Sequence, residues 1–362
     1  SKGKLKMGKL LVAQSGGPTA AINATVVGIV LEAKKNKQIS EILGAKNGIL
    51  GVLNEDFFSL SDQLATQEKM DLLMQTPAAV LGSCRHKLGN WKENTQEYEQ
   101  ILQNLKKNDI QFFIYIGGND SMDTVDQLSA YCKSQGEENL FIMGAPKTID
   151  NDLMGTDHCP GFGSAAKYIA TTFSEIRRDC SVYQTKAVTI VEVMGRNAGW
   201  LTAAAALSRV GGLEGPDLIY LCEVPFQKAD FIDHIKKLLL EKDAVVIAVS
   251  EGIKDTQGQY LSAGPESDTL DAFGHNQVAG AANKLVKFVK EEIGCKVRSI
   301  ELNLMQRCAG HLISKTDIEE SIELGRTACK GALEGNSGMM AAVKRISNQP
   351  YQVAYELVSI EL

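Results

Sequence analysis

The run FFIYIGGNDSMDT, residues 112–124, joins an apolar segment to two glycines and a polar stretch, and LFIMGAPKTIDND, residues 140–152, has a similar arrangement. Each apolar segment is predicted to be a buried strand, so each polar stretch follows the carboxyl end of a strand. Open α/β sheets bind their ligands at that edge. Backbone N–H groups, carboxylates and a lysine are also the parts that a phosphoryl-transfer site needs.

The rest of the chain alternates apolar runs, such as KLLVAQS at 9–15 and AVTIVEV at 187–193, with helical patterns. This alternation predicts an α/β fold with two Rossmann-like, doubly wound lobes, largely parallel sheets and a cleft between them. A chain of 362 residues is long enough for two cores. No stretch rich in Pro or Gly marks a clean boundary between the two lobes, which are expected to exchange strands.

Composition excludes several classes of partner. The net charge is −6 and no long basic block occurs, so we expect neither nucleic acid nor a membrane as a partner. The eight cysteines include no CxxC pair and are expected to be free thiols in a reducing compartment. The first residues, SKGKLKMGKL, lack the apolar region of a signal peptide. We therefore expect a cytoplasmic protein.

SGGPTAAIN, residues 15–23, has the form of a strand–glycine–helix junction. Gly16 and Gly17 would let backbone N–H groups approach an anion at the start of the next helix. A tight turn that needs glycine for steric reasons alone is the other interpretation. Neither GxGxxG nor GxxxxGK followed by Ser or Thr occurs in the chain. Their absence counts against a dinucleotide oxidoreductase and against a P-loop enzyme.

In GGNDS, Gly117 and Gly118 could hold a phosphate while Asp120 reaches a magnesium ion. The alternative is an ordinary turn between a strand and a helix, in which the polar side chains cap the helix.

In PKTIDND, Asp150 and Asp152 would point the same way if the segment is extended. One carboxylate can then act as a general base toward a sugar hydroxyl, while the other orients it or holds metal. Lys147 and Thr148 would contact phosphoryl oxygens. The alternatives are a loop that hydrogen-bonds to itself and a surface ion pair of little energy.

VMGRNAGW places Arg196 beyond a strand and at the start of a predicted Ala-rich helix. An arginine there can bind phosphate oxygens through two hydrogen bonds. Arg85, Lys87, Arg298 and Arg307 are further cations, each of which would by itself be interpreted as a solvated charge.

Together, SGGPTAAIN, GGNDS, PKTIDND, VEVMGR, SEG and MQR resemble the phosphofructokinase family in order and spacing, from about residue 15 to residue 307. The resemblance implies two Rossmann-like lobes and phosphorylation of fructose 6-phosphate on its 1-hydroxyl. It also implies a donor-binding lobe, 1–160 plus about 306–345, and a sugar-phosphate-binding lobe at about 161–305. A homodimer or homotetramer with shared active sites is expected.

The family's site residues are carried over position by position. For catalysis, the resemblance implies Asp150 as the base with Thr148, Lys147, Asp152 and Arg196. For the donor it implies Gly17, Arg85, Gly118, Asn119, Asp120 and Lys147, with Mg²⁺ on Asp120 and Asn119. For the sugar phosphate it implies Thr148, Asp150, Asp152, Met194, Gly195, Arg196, Glu251, Arg298, Arg307 and Lys186, with Arg298 donated by a neighbouring subunit.

The choice of phosphoryl donor depends on Asp120 and Lys147. ATP-using members of the family typically have glycine at both positions, and members that resemble this chain there use inorganic pyrophosphate. A carboxylate at Asp120 would crowd and repel the α-phosphate of a nucleotide, whereas a lysine supplies the charge that a short polyanion needs. Pyrophosphate with Mg²⁺ is therefore the expected donor, and fructose 6-phosphate the expected acceptor.

The chain departs from the family pattern at several positions. Asn119 stands where the family usually has aspartate, and Leu304 stands where it often has His or Tyr. A second cation from the neighbouring subunit aligns with Ala187, and Lys186 precedes it. Two arginines that bind effectors in allosteric bacterial members correspond to Val27 and Leu31. We therefore expect no regulation by ADP or phosphoenolpyruvate at that position.

Two other functions stay open. An ATP-dependent 6-phosphofructokinase would share the fold and differ only in donor. A non-catalytic regulatory subunit is the other, and Asn119 and Leu304 favour it. Sedoheptulose 7-phosphate is a conceivable second acceptor.

Overall fold

The computed structural model describes residues 7–212, 214–262 and 280–360. Its strands in chain order are β1 (Gly8–Gln14), β2 (Ile39–Ala45), β3 (Phe57–Ser59), β4 (Ile110–Gly117), β5 (Phe141–Pro146), β6 (Ala187–Val193), β7 (Leu218–Tyr220), β8 (Ala244–Ser250), β9 (Lys296–Glu301), β10 (Met339–Asn348) and β11 (Tyr351–Ser359). Its α-helices are α1 (Ile22–Lys34), α2 (Gly48–Leu53), α3 (Leu60–Gln63), α4 (Gln67–Met74), α5 (Thr95–Lys107), α6 (Asn119–Ser134), α7 (Phe162–Cys180), α8 (Trp200–Ala203), α9 (Lys228–Glu241), α10 (Ala281–Glu292) and α11 (Lys315–Leu333).

The chain divides into two compact units, and the smaller one is inserted in sequence between the two segments of the larger one. The larger unit is Ser1–Gly163 with Ile313–Leu362, and the smaller unit is Ser164–Leu312. Each has its own sheet, so the predicted α/β fold with largely parallel sheets is confirmed. In the part of the chain that the structure describes, no helix combines the length and the apolar composition that crossing a membrane needs.

In the larger unit, the described strands form one sheet in the order β11-β10-β5-β4-β1-β2-β3. The edge pairs β2–β3 and β10–β11 are antiparallel, and the inner pairs are parallel. In this register Gln14 lies opposite Ile116, and Gly117 lies opposite Pro146. The polar stretches after β1, β4 and β5 therefore begin side by side at one edge of the sheet.

Apolar side chains cover both faces of this sheet. On one face, α1 is buried from Ile22 to Val30, which places it between the sheet and other helices. It packs so closely on α11 that a Cβ at Gly28 would lie 2.0 Å from the carbonyl oxygen of Ile322. Only glycine permits that approach. On the other face, α5 and α6 complete a second core that includes Phe113 and Tyr115.

In the smaller unit, the described strands form a parallel sheet in the order β7-β8-β6-β9. The predicted Ala-rich helix after β6 is wrong as a regular α-helix, because α8 has four residues and a 3₁₀ segment, Ala204–Gly212, follows it. Helix propensity is a weak prior, and the high propensity of alanine does not decide this segment. The guanidinium of Arg209 donates to the carbonyl of Pro216 just after it.

Candidate active site

The glycine loop after β1 lies against the ends of two neighbouring strands. The Ser15 N–H donates to the Ile116 carbonyl at 2.9 Å. Gly16 has a φ of +78°, and a Cβ there would lie 2.8 Å from Nζ of Lys147. The backbone conformation favours glycine here, and any Cβ would force the Lys147 ammonium to move.

Lys147 is a buried cation at the centre of this edge, with 3% of its surface exposed. Its N–H donates to the Gly117 carbonyl at 2.9 Å. Its ammonium Nζ donates to the Gly17 carbonyl at 2.6 Å. Through these contacts Lys147, which follows β5, also ties the end of β4 to the glycine loop after β1, so the edge carries a fixed positive charge.

Asp152 lies within electrostatic reach of that charge, and Asn119 and Asp120 lie close enough to act on Asp152 in turn. Burial raises the pKa of Asp152 above its ordinary value, and the charge of Asp120 raises it further. The charge of Lys147 and a hydrogen bond from Asn119 act in the opposite direction on this pKa. The structure thus brings four of the residues predicted from GGNDS and PKTIDND into one cluster of mixed charge.

The segment Thr148–Asp152 is a turn, so the condition of an extended backbone, under which its two aspartates would point the same way, is not met. Oγ1 of Thr148 accepts the N–H of Asp150 at 3.0 Å, and Asn151 has a φ of 56°. Oδ1 of Asn151 accepts the N–H of Cys159 at 2.8 Å. Asparagine tolerates this left-handed conformation because its side chain can hydrogen-bond locally.

Both aspartates still act on the same neighbour. Burial raises the pKa of the Cys159 thiol to about 12, and the charges of Asp152 and Asp150 add to the rise. The two carboxylates therefore share one region although their backbone is not extended.

The residues that precede Arg85 are held beside the glycine loop. Oγ of Ser83 donates to the Gly16 carbonyl at 2.6 Å, and Oγ of Ser15 donates to the Cys84 carbonyl at 3.3 Å. Arg85 follows with an exposed side chain. Ser15 and Ser83 were not predicted as site residues, since a serine in a loop carries no signal for a partner so distant in sequence.

Magnesium is compatible with this donor set. Among the described residues, no group of three or more His, Cys, Asp and Glu side chains is arranged to hold a metal ion. In phosphoryl-transfer sites Mg²⁺ is commonly bound by one or two carboxylates together with water and substrate phosphate oxygens. Asp120, with Asn119 before it at the start of α6, fits that kind of site.

In the smaller unit, Met194, Gly195 and Arg196 form a turn after β6. Gly195 has a φ of 132°, and its N–H donates to Oε1 of Glu251 at 3.1 Å. The Glu251 N–H donates to the Val193 carbonyl at 2.9 Å. Hydrogen bonds therefore connect the residues that follow β6 to those that follow β8. The sequence placed Arg196 at the start of a helix. In the structure Arg196 precedes α8, which begins at Trp200, by a few residues.

Gln306 connects this turn to the predicted phosphate ligand Arg307. Its side chain is buried, with 1% exposed. Its Oε1 accepts the Met194 N–H at 3.2 Å, and its Nε2 donates to the Asn303 carbonyl at 2.9 Å. Gln306 lies inside the motif MQR but was not predicted as a site residue, because glutamine in a loop has no distinctive chemical signal.

Arg298 and Lys186 are not brought to this edge. Arg298 pairs with Thr189 near the amino end of β6, and its side chain is exposed. Lys186 precedes β6 and pairs with Asp243 at 3.0 Å. At about 3.3 Å per residue, the backbone of Thr189 lies roughly 17 Å from Met194 and that of Lys186 roughly 26 Å, so both cations start well away from that turn.

Replacing Asp152 by asparagine is expected to stabilise the protein at pH 7 and to lower turnover roughly tenfold or more. The fold raises the pKa of Asp152, so its ionised form destabilises the fold at pH values above the unfolded value of 3.8. The neutral amide of the Asp152→Asn variant would remove that cost. The measurement is the melting temperature of both proteins from about pH 4 to pH 8.

The gain in melting temperature should shrink as the pH falls toward the unfolded value, because both side chains are then neutral. A variant that melts at or below the wild-type temperature at pH 7 would contradict the assignment of a desolvated carboxylate.

Comparisons with known proteins extend over almost the whole chain. A family model described as phosphofructokinase matches residues 9–330, which include every predicted site residue. Over 347 residues the chain is 42% identical to the pyrophosphate–fructose 6-phosphate 1-phosphotransferase of Xanthomonas campestris pv. campestris, covering 95% of the chain and 81% of that relative. A protein of the same name from Halomonas elongata is 39% identical over 342 residues, covering 94% of the chain and 80% of the relative.

A similar likeness is found among solved structures. The pyrophosphate-dependent phosphofructokinase from Nitrosospira multiformis matches with a TM-score of 0.85 at 35% sequence identity, covering 98% of the chain and 83% of that structure.

Proposed function

Because this chain belongs to the phosphofructokinase family, we propose that it transfers a phosphoryl group from pyrophosphate to the 1-hydroxyl of fructose 6-phosphate. The products are fructose 1,6-bisphosphate and phosphate. The reaction exchanges one phosphoanhydride for one ester, so it is reversible and serves glycolysis and gluconeogenesis. Since the substrates are sugar phosphates of glycolysis, we also propose a cytoplasmic location. The observation that carries the proposal is the buried Lys147 beside Asp120 and Asp152.

The donor site is assigned to the larger unit. Lys147, Gly17 and Gly118 would meet the oxygens of pyrophosphate, and Arg85 would contact them from the adjacent loop. The Lys147 ammonium is already held at 2.6 Å from the Gly17 carbonyl, so its position needs no rearrangement. The Asp120 carboxylate would repel the α-phosphate of a nucleoside triphosphate, which pyrophosphate lacks. A compact dianion or trianion with Mg²⁺ suits this mixture of charges better than ATP does.

Proton transfer is assigned to Asp150. The Asp150 carboxylate would accept the proton of the 1-hydroxyl as the phosphoryl group moves, and Thr148 would fix the turn through its bond to the Asp150 N–H. Mg²⁺, held by Asp120 and Asn119, would offset the negative charge of the phosphoryl oxygens. Asp152 would orient the base.

Recognition of the sugar phosphate is assigned to the smaller unit. The turn of Met194 and Gly195 is held by the bond from the Gly195 N–H to Glu251, and these three residues would bind the sugar hydroxyls. Arg196 and Arg307 would bind phosphoryl oxygens, since a guanidinium presents two parallel donors to such a group.

Arg298 and Lys186 are assigned to the active site of a neighbouring copy. Lys186 precedes β6 and Arg298 lies opposite Thr189 in the amino-terminal half of β6, so both start far from a sugar bound at Met194 of the same chain. The protein would then be a homodimer or homotetramer that shares residues between copies.

This sharing predicts complementation between two inactive variants. Mixed dimers of Arg298→Ala and Arg307→Ala should recover about one quarter of wild-type activity, because half of the random dimers contain one intact site. The measurement is the specific activity of co-expressed variants against each variant alone. A mixture no more active than its components would place both arginines in the same site.

Regulation by effectors at the first helix is not expected. Val27 is fully buried in the core, and Leu31 packs against the same core. Two apolar side chains in these positions offer no donor for an effector phosphate.

The test is direct observation of the reaction by ³¹P NMR with fructose 6-phosphate, Mg²⁺ and either pyrophosphate or ATP. We expect the pyrophosphate signal to be replaced by those of phosphate and fructose 1,6-bisphosphate, and the reverse reaction to proceed from these products. Turnover with ATP alone would indicate an ATP-dependent enzyme. Binding of fructose 6-phosphate without turnover of either donor would indicate a non-catalytic subunit.

A further inference from the structure

His158 lies between two carboxylates that contact different ring nitrogens. Nδ1 is 2.7 Å from Oδ2 of Asp157, and Nε2 is 2.7 Å from Oε1 of Glu320. A carboxylate only accepts hydrogen bonds, and a neutral imidazole has only one N–H to donate. Both contacts are therefore hydrogen bonds only when the ring carries two protons. The geometry is that of an imidazolium.

Further side chains extend this row in both directions. Nη2 of Arg345 lies 3.0 Å from Oδ2 of Asp157, and the hydroxyl of Tyr351 donates to Oε2 of Glu320. The charged and titratable groups on the elements around the row are Asp157 in its own segment, Asp317, Glu319, Glu320 and Glu323 on α11, Arg345 on β10, and Tyr351 and Tyr355 on β11. Acidic groups predominate, so the surroundings favour a cation.

Burial lowers the pKa of His158, but the hydrogen bonds and charges of Glu320 and Asp157 outweigh burial, and the net pKa lies above the ordinary value of 6.5. The same contacts hold the pKa of Asp157 below its ordinary value, although burial acts to raise it. Both shifts favour the ion pair that the distances indicate.

The segment that carries His158 also supports the turn that carries Asp150. The Thr148 N–H donates to the Pro160 carbonyl at 3.0 Å, and the Cys159 N–H donates to Oδ1 of Asn151 at 2.8 Å. Residues on either side of the Asp150 position are thus bonded to residues directly after His158. On its other side, this segment is attached to α11 by the bond from His158 to Glu320 and by the Gly161 N–H, which donates to Oδ1 of Asp317 at 3.0 Å.

We propose that His158, as an imidazolium, is a positioning residue that fixes the turn of Asp150 and Asp152 by tying the returning segment to α11. The inference rests on the proposed function. His158 does not touch the reacting atoms, and its contribution passes through Pro160, Cys159 and their bonds to the turn. The role should be present when the ring is charged and lost when the ring becomes neutral.

The test is the ratio of wild-type kcat to that of His158→Gln, measured across about pH 6 to pH 9.5. Glutamine donates to one partner at a time, as a neutral imidazole does. At the acidic end we expect a kcat ratio of roughly 10, which corresponds to the loss of about one charge-assisted hydrogen bond. The ratio should fall toward 1 as the pH rises and His158 loses its proton. The ionisation of pyrophosphate is common to both proteins and cancels in the ratio. His234→Gln, the same change at an exposed histidine on α9, is the matched control and should give a ratio near 1 throughout.

Glu320→Gln provides a second variant in which the histidine stays in place. Its amide can still accept the bond from Nε2, but the loss of the carboxylate charge lowers the pKa of His158. The alkaline decline of kcat should therefore begin at a lower pH than in the wild type. A kcat ratio for His158→Gln that stays constant with pH, or an unshifted decline in Glu320→Gln, would reduce His158 to a purely structural role and overturn the inference.

Histidine NMR separates this inference from the proposed function. The ring C–H signal that disappears in His158→Gln should titrate above 6.5 in the wild type and lower in Glu320→Gln. A signal that titrates at or below the ordinary value overturns the imidazolium. Wild-type protein that shows this titration but no turnover with pyrophosphate would overturn the proposed function, and with it the positioning role, while leaving the charged network intact.

Discussion

Replacement of Asp150 by serine is expected to lower kcat with pyrophosphate by about 10²–10⁴-fold, while the KM for fructose 6-phosphate stays within roughly threefold. Serine cannot accept the hydroxyl proton at neutral pH, so the chemical step loses its base. The proposed sugar ligands Met194, Gly195 and Glu251 belong to the smaller unit and are unchanged in this variant. A fall in kcat with little change in KM therefore distinguishes a catalytic base from a sugar-binding residue.

The measurement is steady-state kinetics at saturating pyrophosphate. Asp71→Ser, the same change at an exposed aspartate on α4, is the matched control and should leave both constants unchanged. A variant at position 150 with near-normal kcat would remove Asp150 from the role of base. An equally large rise in KM would show that Asp150 serves binding instead.

Replacement of Lys147 by methionine should lower kcat/KM for pyrophosphate by about 10²–10³-fold, the typical cost of removing one fixed donor from a reacting oxyanion. The ammonium is almost fully buried, so it is weakly screened by solvent. Its removal also takes away the positive charge that lowers the pKa of Asp152 beside Asp120. The negative charges of Asp120 and Asp152 would then be uncompensated, and both would repel a polyanionic donor.

Stability must be measured beside activity, because the same change could unfold the loop. Lys147→Arg retains the charge and should recover part of the lost activity if charge is what the donor requires. Lys133→Met, at an exposed position of α6, is the matched control. A folded Lys147→Met protein that uses pyrophosphate normally would be incompatible with the proposed donor site.

The main strands and the two polar edges could be predicted because their signals are local. An apolar run of strand length followed by glycine or a polar stretch marks the carboxyl end of β4, β5 and β6 without knowledge of the partners. Parallel pairing then places the ends of β4 and β5 together in the larger unit, and the end of β6 beside that of β8 in the smaller unit. The residues in GGNDS and PKTIDND could be chosen for the same reason.

Other parts depend on contacts between distant residues. The bond from His158 to Glu320 joins positions 162 residues apart, and neither residue has a distinctive local pattern. The turn at Asn151 depends on a bond to Cys159, which the aspartate spacing does not encode. In the Ala-rich segment after β6, local propensity pointed to an α-helix, whereas residues 204–212 form a 3₁₀ helix.

The most direct test of the account is kcat/KM with pyrophosphate and with ATP, measured on one preparation with fructose 6-phosphate and Mg²⁺. Juxtaposed like charges cost several kcal/mol, so the Asp120 carboxylate should make pyrophosphate the better donor by about 100-fold or more. An equal or higher value for ATP would contradict the claim that Asp120 and Lys147 select the donor.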